Sequence, residues 1–193
     1  MRSAECGIFF LRGAGRNHKN LKLSKNKLFN FAALIHKNKQ KMALPDIFSK
    51  DVSEQVIARI EALTPQTQPN WGKMDVAQML AHCNVTYEMV YTDKHPKPGF
   101  LMGMILKAFV KNTVVTEKPY AQNSTTAPAF RITDERVFET EKKRLIDHIR
   151  QTQALGRAHF EGKASHSFGN LNSDEWNNMF YKHLNHHLGQ FGV

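Results

Sequence analysis

The chain closes on a segment whose side chains repeat at a helical period, Trp176 to Val193. Trp176, Phe180, His183 and His187 follow the i, i+4, i+7, i+11 spacing of a helix face that turns toward a core. Two imidazoles therefore stand where leucines would be expected, and His183 and His187 lie one above the other on that face. Burying two neutral polar rings is costly unless their nitrogens find partners. A divalent metal satisfies both, and helical HxxxH is a common way to supply two nitrogen ligands. His186 points about 100° away from its neighbour His187 and reads as flanking or solvent-facing.

The same helical period recurs upstream. Val52, Val56, Ile57, Ile60 and Leu63 predict a helix over about 50–64, closed by Thr64-Pro65. A second is predicted over about 74–93, capped by Asp75, with Val76, Met79, Leu80, His82, Cys83 and Tyr87 on its inner side. The apolar run Phe100–Val110 predicts a third, buried helix over about 99–111; it is too short for a membrane span and contains Lys107. An irregular stretch follows over about 112–132. Thr133-Asp134-Glu135 opens a fourth helix over about 133–155, with Phe138, Leu145 and Ile149 inward and Gly156 after its end. A loop over 157–172 precedes the last helix, which begins Ser173-Asp-Glu-Trp176. Little alternates at period two, so the fold class is an all-α bundle.

Charge divides the chain in two. Residues 1–41 hold ten Lys/Arg against one acid, Glu5, so almost all of the formal net charge of +10 lies there. The rest is close to neutral, which argues against reading the folded domain as a nucleic-acid binder from its overall basicity. The basic segment is expected to be a disordered upstream extension, with Met42 as the natural domain start and 42–193 as the domain. A basic arm for nucleic acid or acidic lipid head groups, and a targeting peptide, are the other readings of it. Cys6 and Cys83 cannot form a disulfide framework and are expected as free thiols in a reducing, cytoplasmic setting.

Two histidines on one helix do not complete a catalytic zinc site, which usually takes three protein ligands. His82, in mid-helix on an apolar side, is the best third candidate; a hydrogen-bonded core histidine is the other reading of it. An antiparallel bundle can set one histidine opposite a stacked pair. Gln190 is three residues after His187, placed to support it or to sit on the surface. His148 and His159 read as surface histidines, His166 as a loop residue that can reach the site, and Cys83 as packed. No HExxH, Glu-x-x-His, CxxC or Gly-rich phosphate loop is present.

Trp71-Gly-Lys-Met-Asp-Val-Ala-Gln-Met-Leu-Ala-His82 and the C-terminal His183-x-x-x-His187-x-x-Gln190 resemble the DinB/YfiT-like superfamily of four-helix bundles taken to be metalloenzymes, in an uncharacterised bacterial branch. The resemblance covers about 45–193. It implies a DinB-like bundle with a short additional helix, and one divalent metal, zinc or nickel, on His82, His183 and His187. It also implies small-molecule chemistry: S-transfer with a low-molecular-weight thiol such as bacillithiol or mycothiol, or hydrolysis. The expected partners are a small substrate and a second copy of the chain, with no membrane and no nucleic acid. The alternative is a non-catalytic, stress-related binding module with a structural metal or none.

Overall fold

A computed structural model describes residues 43–193, and the expectations for the basic segment and for Cys6 lie outside the described residues. Four long helices carry the fold: α1 (Lys50–Glu61), α2 (Val76–Tyr91), α5 (Phe138–Phe160) and α6 (Ser173–Gln190). Between α2 and α5 the chain makes a shorter helical run, α3 (Phe100–Ile105), a wider π turn (Leu106–Val110) and α4 (Lys111–Val115), then a single 3₁₀ turn at Pro128–Phe130. The architecture is the expected all-α bundle. Its strand content among the described residues is one hairpin, β1 (Ala164–Ser165) with β2 (Gly169–Asn170), inside the predicted 157–172 loop. No helix among those residues is long and apolar enough to cross a membrane.

Each long helix turns its apolar positions inward. Ile57 and Ile60 of α1, Met79 and Leu80 of α2, and Leu145 and Ile149 of α5 are fully buried in one core with Trp176 and Phe180 of α6. Burial of such side chains contributes about 1.5–3 kcal/mol each. Capping boxes fix where the two site-bearing helices begin. Asp75 accepts from the Gln78 amide at 2.8 Å and Gln78 Oε1 accepts from the Asp75 amide at 3.2 Å. At the head of α6, Asn172 and Glu175 make the same reciprocal pair, at 2.8 and 3.0 Å. The cap of α6 is thus Asn172, and the helix begins at Ser173 as expected.

Three expectations need correction. The run Phe100–Val110 is helical but not buried: Phe100, Leu101, Met102, Met104, Ile105 and Phe109 face solvent. The fourth helix begins at Phe138 rather than 133, because the residues before it have other partners. The Asp134 carbonyl accepts from Gln78 Nε2 at 3.3 Å, and Arg136 pairs with Asp134 and with Glu141. Gly156 breaks that helix as expected, with φ 70°, but a last turn continues to Phe160. Third, His148 is not a surface histidine. Its Nδ1 donates to Asn84 Oδ1 at 3.0 Å, and its ring stacks on Tyr87 at 5.4 Å. His159 is exposed, and Cys83 is packed with its Sγ 3.8 Å from Met79 Sδ, both as expected.

A buried ionic network ties α2 to α5. Glu88, 4 % exposed, meets Lys94 at 2.9 Å, His95 at 2.8 Å and Arg144, which also reaches Glu141 at 2.7 Å. Burial alone would raise the Glu88 pKa, but the hydrogen bonds from Lys94, His95 and Arg144 outweigh it and hold the carboxyl at about 2. The folded value lies below the ordinary 4.5, so the carboxylate's contribution to stability is complete above that pH and is lost as pH falls from about 4.5 toward 2. Glu88→Gln will start less stable and lose less stability than wild type over that interval. Urea titrations at stepped pH measure the difference.

Candidate metal centre

Two bundle helices supply the site. His82 projects from the middle of α2, and His183 and His187 project from successive turns of α6. Their ring centroids are 4.9 Å (His82–His183), 4.4 Å (His82–His187) and 4.8 Å (His183–His187) apart. One ring nitrogen from each falls in a group whose members all lie within 4.8 Å of one another. The Nε2 atoms of His82 and His183 approach to 2.9 Å. The three residues chosen from spacing are therefore brought together.

The outward nitrogens show which protons the rings carry. His82 Nδ1 lies 2.8 Å from the Phe130 carbonyl oxygen, which can only accept, so Nδ1 carries the proton and Nε2 is a lone pair. For His187 the logic runs through a side-chain amide. The Trp71 carbonyl accepts from Gln190 Nε2 at 2.6 Å, which turns Gln190 Oε1 toward His187 Nδ1 at 2.8 Å. His187 must then donate from Nδ1, and its Nε2 is also a lone pair. His183 Nδ1 meets the Thr86 hydroxyl at 3.1 Å, a group that can donate or accept. Without a metal, a proton on His183 Nε2 can bridge to His82, but His187 Nε2 makes no hydrogen bond among the described residues.

Burial favours the uncharged form of all three rings. It lowers the pKa of His82 against the raising effect of the Phe130 carbonyl, and brings His187 down to about 3. It drives His183 well below its ordinary value, and the neighbouring histidines add to the effect. Neutral imidazole is the form a metal takes. Three nitrogen donors and no carboxylate suit late transition ions rather than calcium or magnesium. The donor set is thus compatible with one divalent metal.

An aromatic collar surrounds the group. Phe130 lies edge-on to His183 at 5.9 Å, Tyr120 to His183 at 6.4 Å and to His186 at 5.6 Å, and Trp71 to His186 at 6.0 Å. His186 flanks the site as expected, half-buried. His166 does not reach it: its ring bonds Ser167 and the His95 carbonyl. Phe130 and Tyr120 escaped the sequence reading because they come from the irregular stretch; Thr86, four residues after His82, has the spacing of a same-face neighbour. Lys182 holds the strap before Tyr120 by donating to the carbonyls of Thr113, at 2.9 Å, and Thr116, with its ammonium 4.6 Å above the Tyr120 ring. Burial brings the Lys182 pKa down to about 8.

A family model described as "Protein of unknown function (DUF1569)" matches residues 46–192, a span that contains all three histidines and Gln190. No curated protein and no solved structure matches the chain.

Proposed function

The chain belongs to the DUF1569 family, and from that premise we propose that it is a metal-dependent enzyme whose divalent ion, zinc or nickel, is held by His82, His183 and His187. The observation that carries this reading is the pair of carbonyl-type oxygens, Phe130 O and Gln190 Oε1, that fix the protons of His82 and His187 on Nδ1 and turn their Nε2 lone pairs inward. Catalysis is favoured over a structural role by the ligand count. Structural zinc sites usually close with four protein ligands, whereas catalytic ones keep a position open. Among the described residues no fourth His, Cys, Asp or Glu joins the group. The resemblance to DinB/YfiT-like bundles supports the same ligand set.

A bound ion would supply Lewis acidity, holding a substrate thiol as thiolate or activating water for hydrolysis. The chain's own contribution is orientation and exclusion of water. Phe130 and Tyr120 set apolar surface beside the imidazoles, with Trp71 against the flanking His186, and apolar surroundings strengthen electrostatic interactions there. Elemental analysis of the full chain tests the site: about one equivalent of zinc or nickel is expected. No metal after reconstitution would overturn the reading. Cobalt-substituted protein separates the two chemistries, since a low-molecular-weight thiol that binds the ion will add a sulfur-to-cobalt absorption band and a hydrolase substrate will not.

Gln190 gives a graded test. Gln190→Leu removes the acceptor for His187 Nδ1 and frees that ring to rotate or change tautomer. Metal affinity should fall about 10–100-fold, the usual effect of losing an outer hydrogen-bond partner. Gln190→Glu retains an acceptor and should lose less. Competition against a chromophoric chelator measures both.

A further inference from the structure

The helical run from Phe100 to Val115 presents its apolar side to solvent. Over Phe100–Ile105, at 100° per residue, Phe100, Met104, Leu101, Ile105 and Met102 fall in one arc of about 200°, and Phe109 in the wider turn that follows is exposed as well. Phe100 is 84 % exposed and Phe109 79 %. Gly103, Leu106 and Val114 are partly covered, and Val115 is buried. No charged residue interrupts the outward arc. A contiguous apolar face of this kind on a folded protein marks something that covers it.

The charge around the face narrows what that is. Residues 94–116 contain four lysines, and the acids Asp93 and Glu117 bound the stretch on either side. Lys94 is neutralised by Glu88 at 2.9 Å and Lys111 by Glu175 at 2.8 Å. Lys97 and Lys107 have no ion-pair partner among the described residues. They line a recess of about 310 Å³ with His166 and Ser167, directly beside Phe100 and Met104 of the apolar arc. Two free ammonium groups at the edge of an apolar face are complementary to an apolar layer with anionic head groups. A second copy fits less well. An isologous contact would bring the same patch, and the same unpaired lysines, against itself. The basic N-terminal segment of the sequence fits less well for the same reason, and it adds attraction of the same sign toward an anionic surface.

We propose that the Phe100–Phe109 face docks this protein on the surface of an anionic phospholipid bilayer, with lipid phosphates received between Lys97 and Lys107. The expectation of no membrane partner came from the lack of a spanning segment, and a helix lying in the interface is not a span. Exposed apolar side chains and nearby cationic groups act together at an anionic interface, and this face carries the first with Lys97 and Lys107 beside it.

Cosedimentation of the full chain with phosphatidylcholine vesicles, with and without phosphatidylglycerol, tests the proposal. Wild type should pellet with the anionic vesicles. Phe100→Ser with Phe109→Ser should bind about tenfold or more weakly, since two exposed phenyl rings no longer enter the bilayer. Lys97→Glu with Lys107→Glu should reduce the gain that phosphatidylglycerol gives. The four positions are on the surface, and circular dichroism checks that the variants keep wild-type helicity. The proposal fails if wild type does not pellet. It fails if the double serine variant pellets like wild type, which would assign the binding to the basic segment. It also fails if wild type is a dimer that the serine variant splits without change in vesicle binding, which would assign the face to a second copy.

Discussion

His183→Ala will abolish stoichiometric metal binding while the bundle stays folded. His183 approaches both of the other rings: its Nε2 lies 2.9 Å from that of His82, and its ring is 4.8 Å from that of His187. Removing it leaves two donors on different helices. The loss in affinity should exceed the roughly 100-fold that marks the upper effect of an outer partner such as Gln190. The thermal consequence follows from linkage. An ion that binds only the folded state, present at 100 times its dissociation constant, stabilises by about 2.7 kcal/mol. Wild type should therefore melt at lower temperature after chelation, and His183→Ala should melt at one temperature with or without chelator. The metal-free variant should be within about 1 kcal/mol of metal-free wild type, the common size of a point-mutant effect. A His183→Ala protein that still carries one equivalent of metal would remove these histidines from the site.

Phe180→Ala will cost far more stability and will do so whether or not metal is present. Phe180 is fully buried. Its ring stacks on Tyr87 at 5.0 Å and meets Trp176 at 5.4 Å, Phe160 at 5.5 Å and Phe48 at 6.4 Å. Those neighbours come from α2, α5, α6 itself and the segment before α1, so the hole left behind cannot close by moving one element. A loss of about 3–5 kcal/mol is expected for Phe→Ala in such a place. For a domain of this size each kcal/mol shifts the melting temperature by about 2–4 °C, so the midpoint should drop by roughly 6–20 °C. Calorimetry with and without chelator checks it, and Phe180→Leu should restore much of the loss. An effect that vanished on chelation would mean that Phe180 acts through the metal centre rather than through packing.

The two kinds of residue in α6 explain what could be read in advance. Trp176, Phe180, His183 and His187 share one face at a period that only a helix provides, so both the core and two of the three site residues were legible in spacing. His82 was legible as a polar residue on an apolar side. The exposed face of Phe100–Phe109 was not, because periodicity reports which residues are apolar and not whether anything lies against them. The start of the helix at Phe138 was hidden for a different reason. Thr133-Asp134-Glu135 has the chemistry of a cap, but Gln78 and Arg136 hold Asp134 in the stretch before the helix, and that stretch follows Phe130, whose carbonyl orients His82. His148 was misread because its partners, Asn84 and Tyr87, lie more than sixty residues away along the chain.

Gly72 sits in the loop between α1 and α2, at φ 87°, and a Cβ built there would come within 2.5 Å of Gln190 Nε2. The same loop offers the Trp71 carbonyl to that nitrogen, and its Asn70 amide donates to the Gln190 carbonyl at 2.7 Å. The loop therefore acts as a jig for the histidine helix rather than as a connector. Grafting a different loop of equal length between α1 and α2 would preserve the bundle and spoil the centre. In a library randomised over positions 70–72, the survivors sorted for folding and the survivors sorted for metal loading would be different populations.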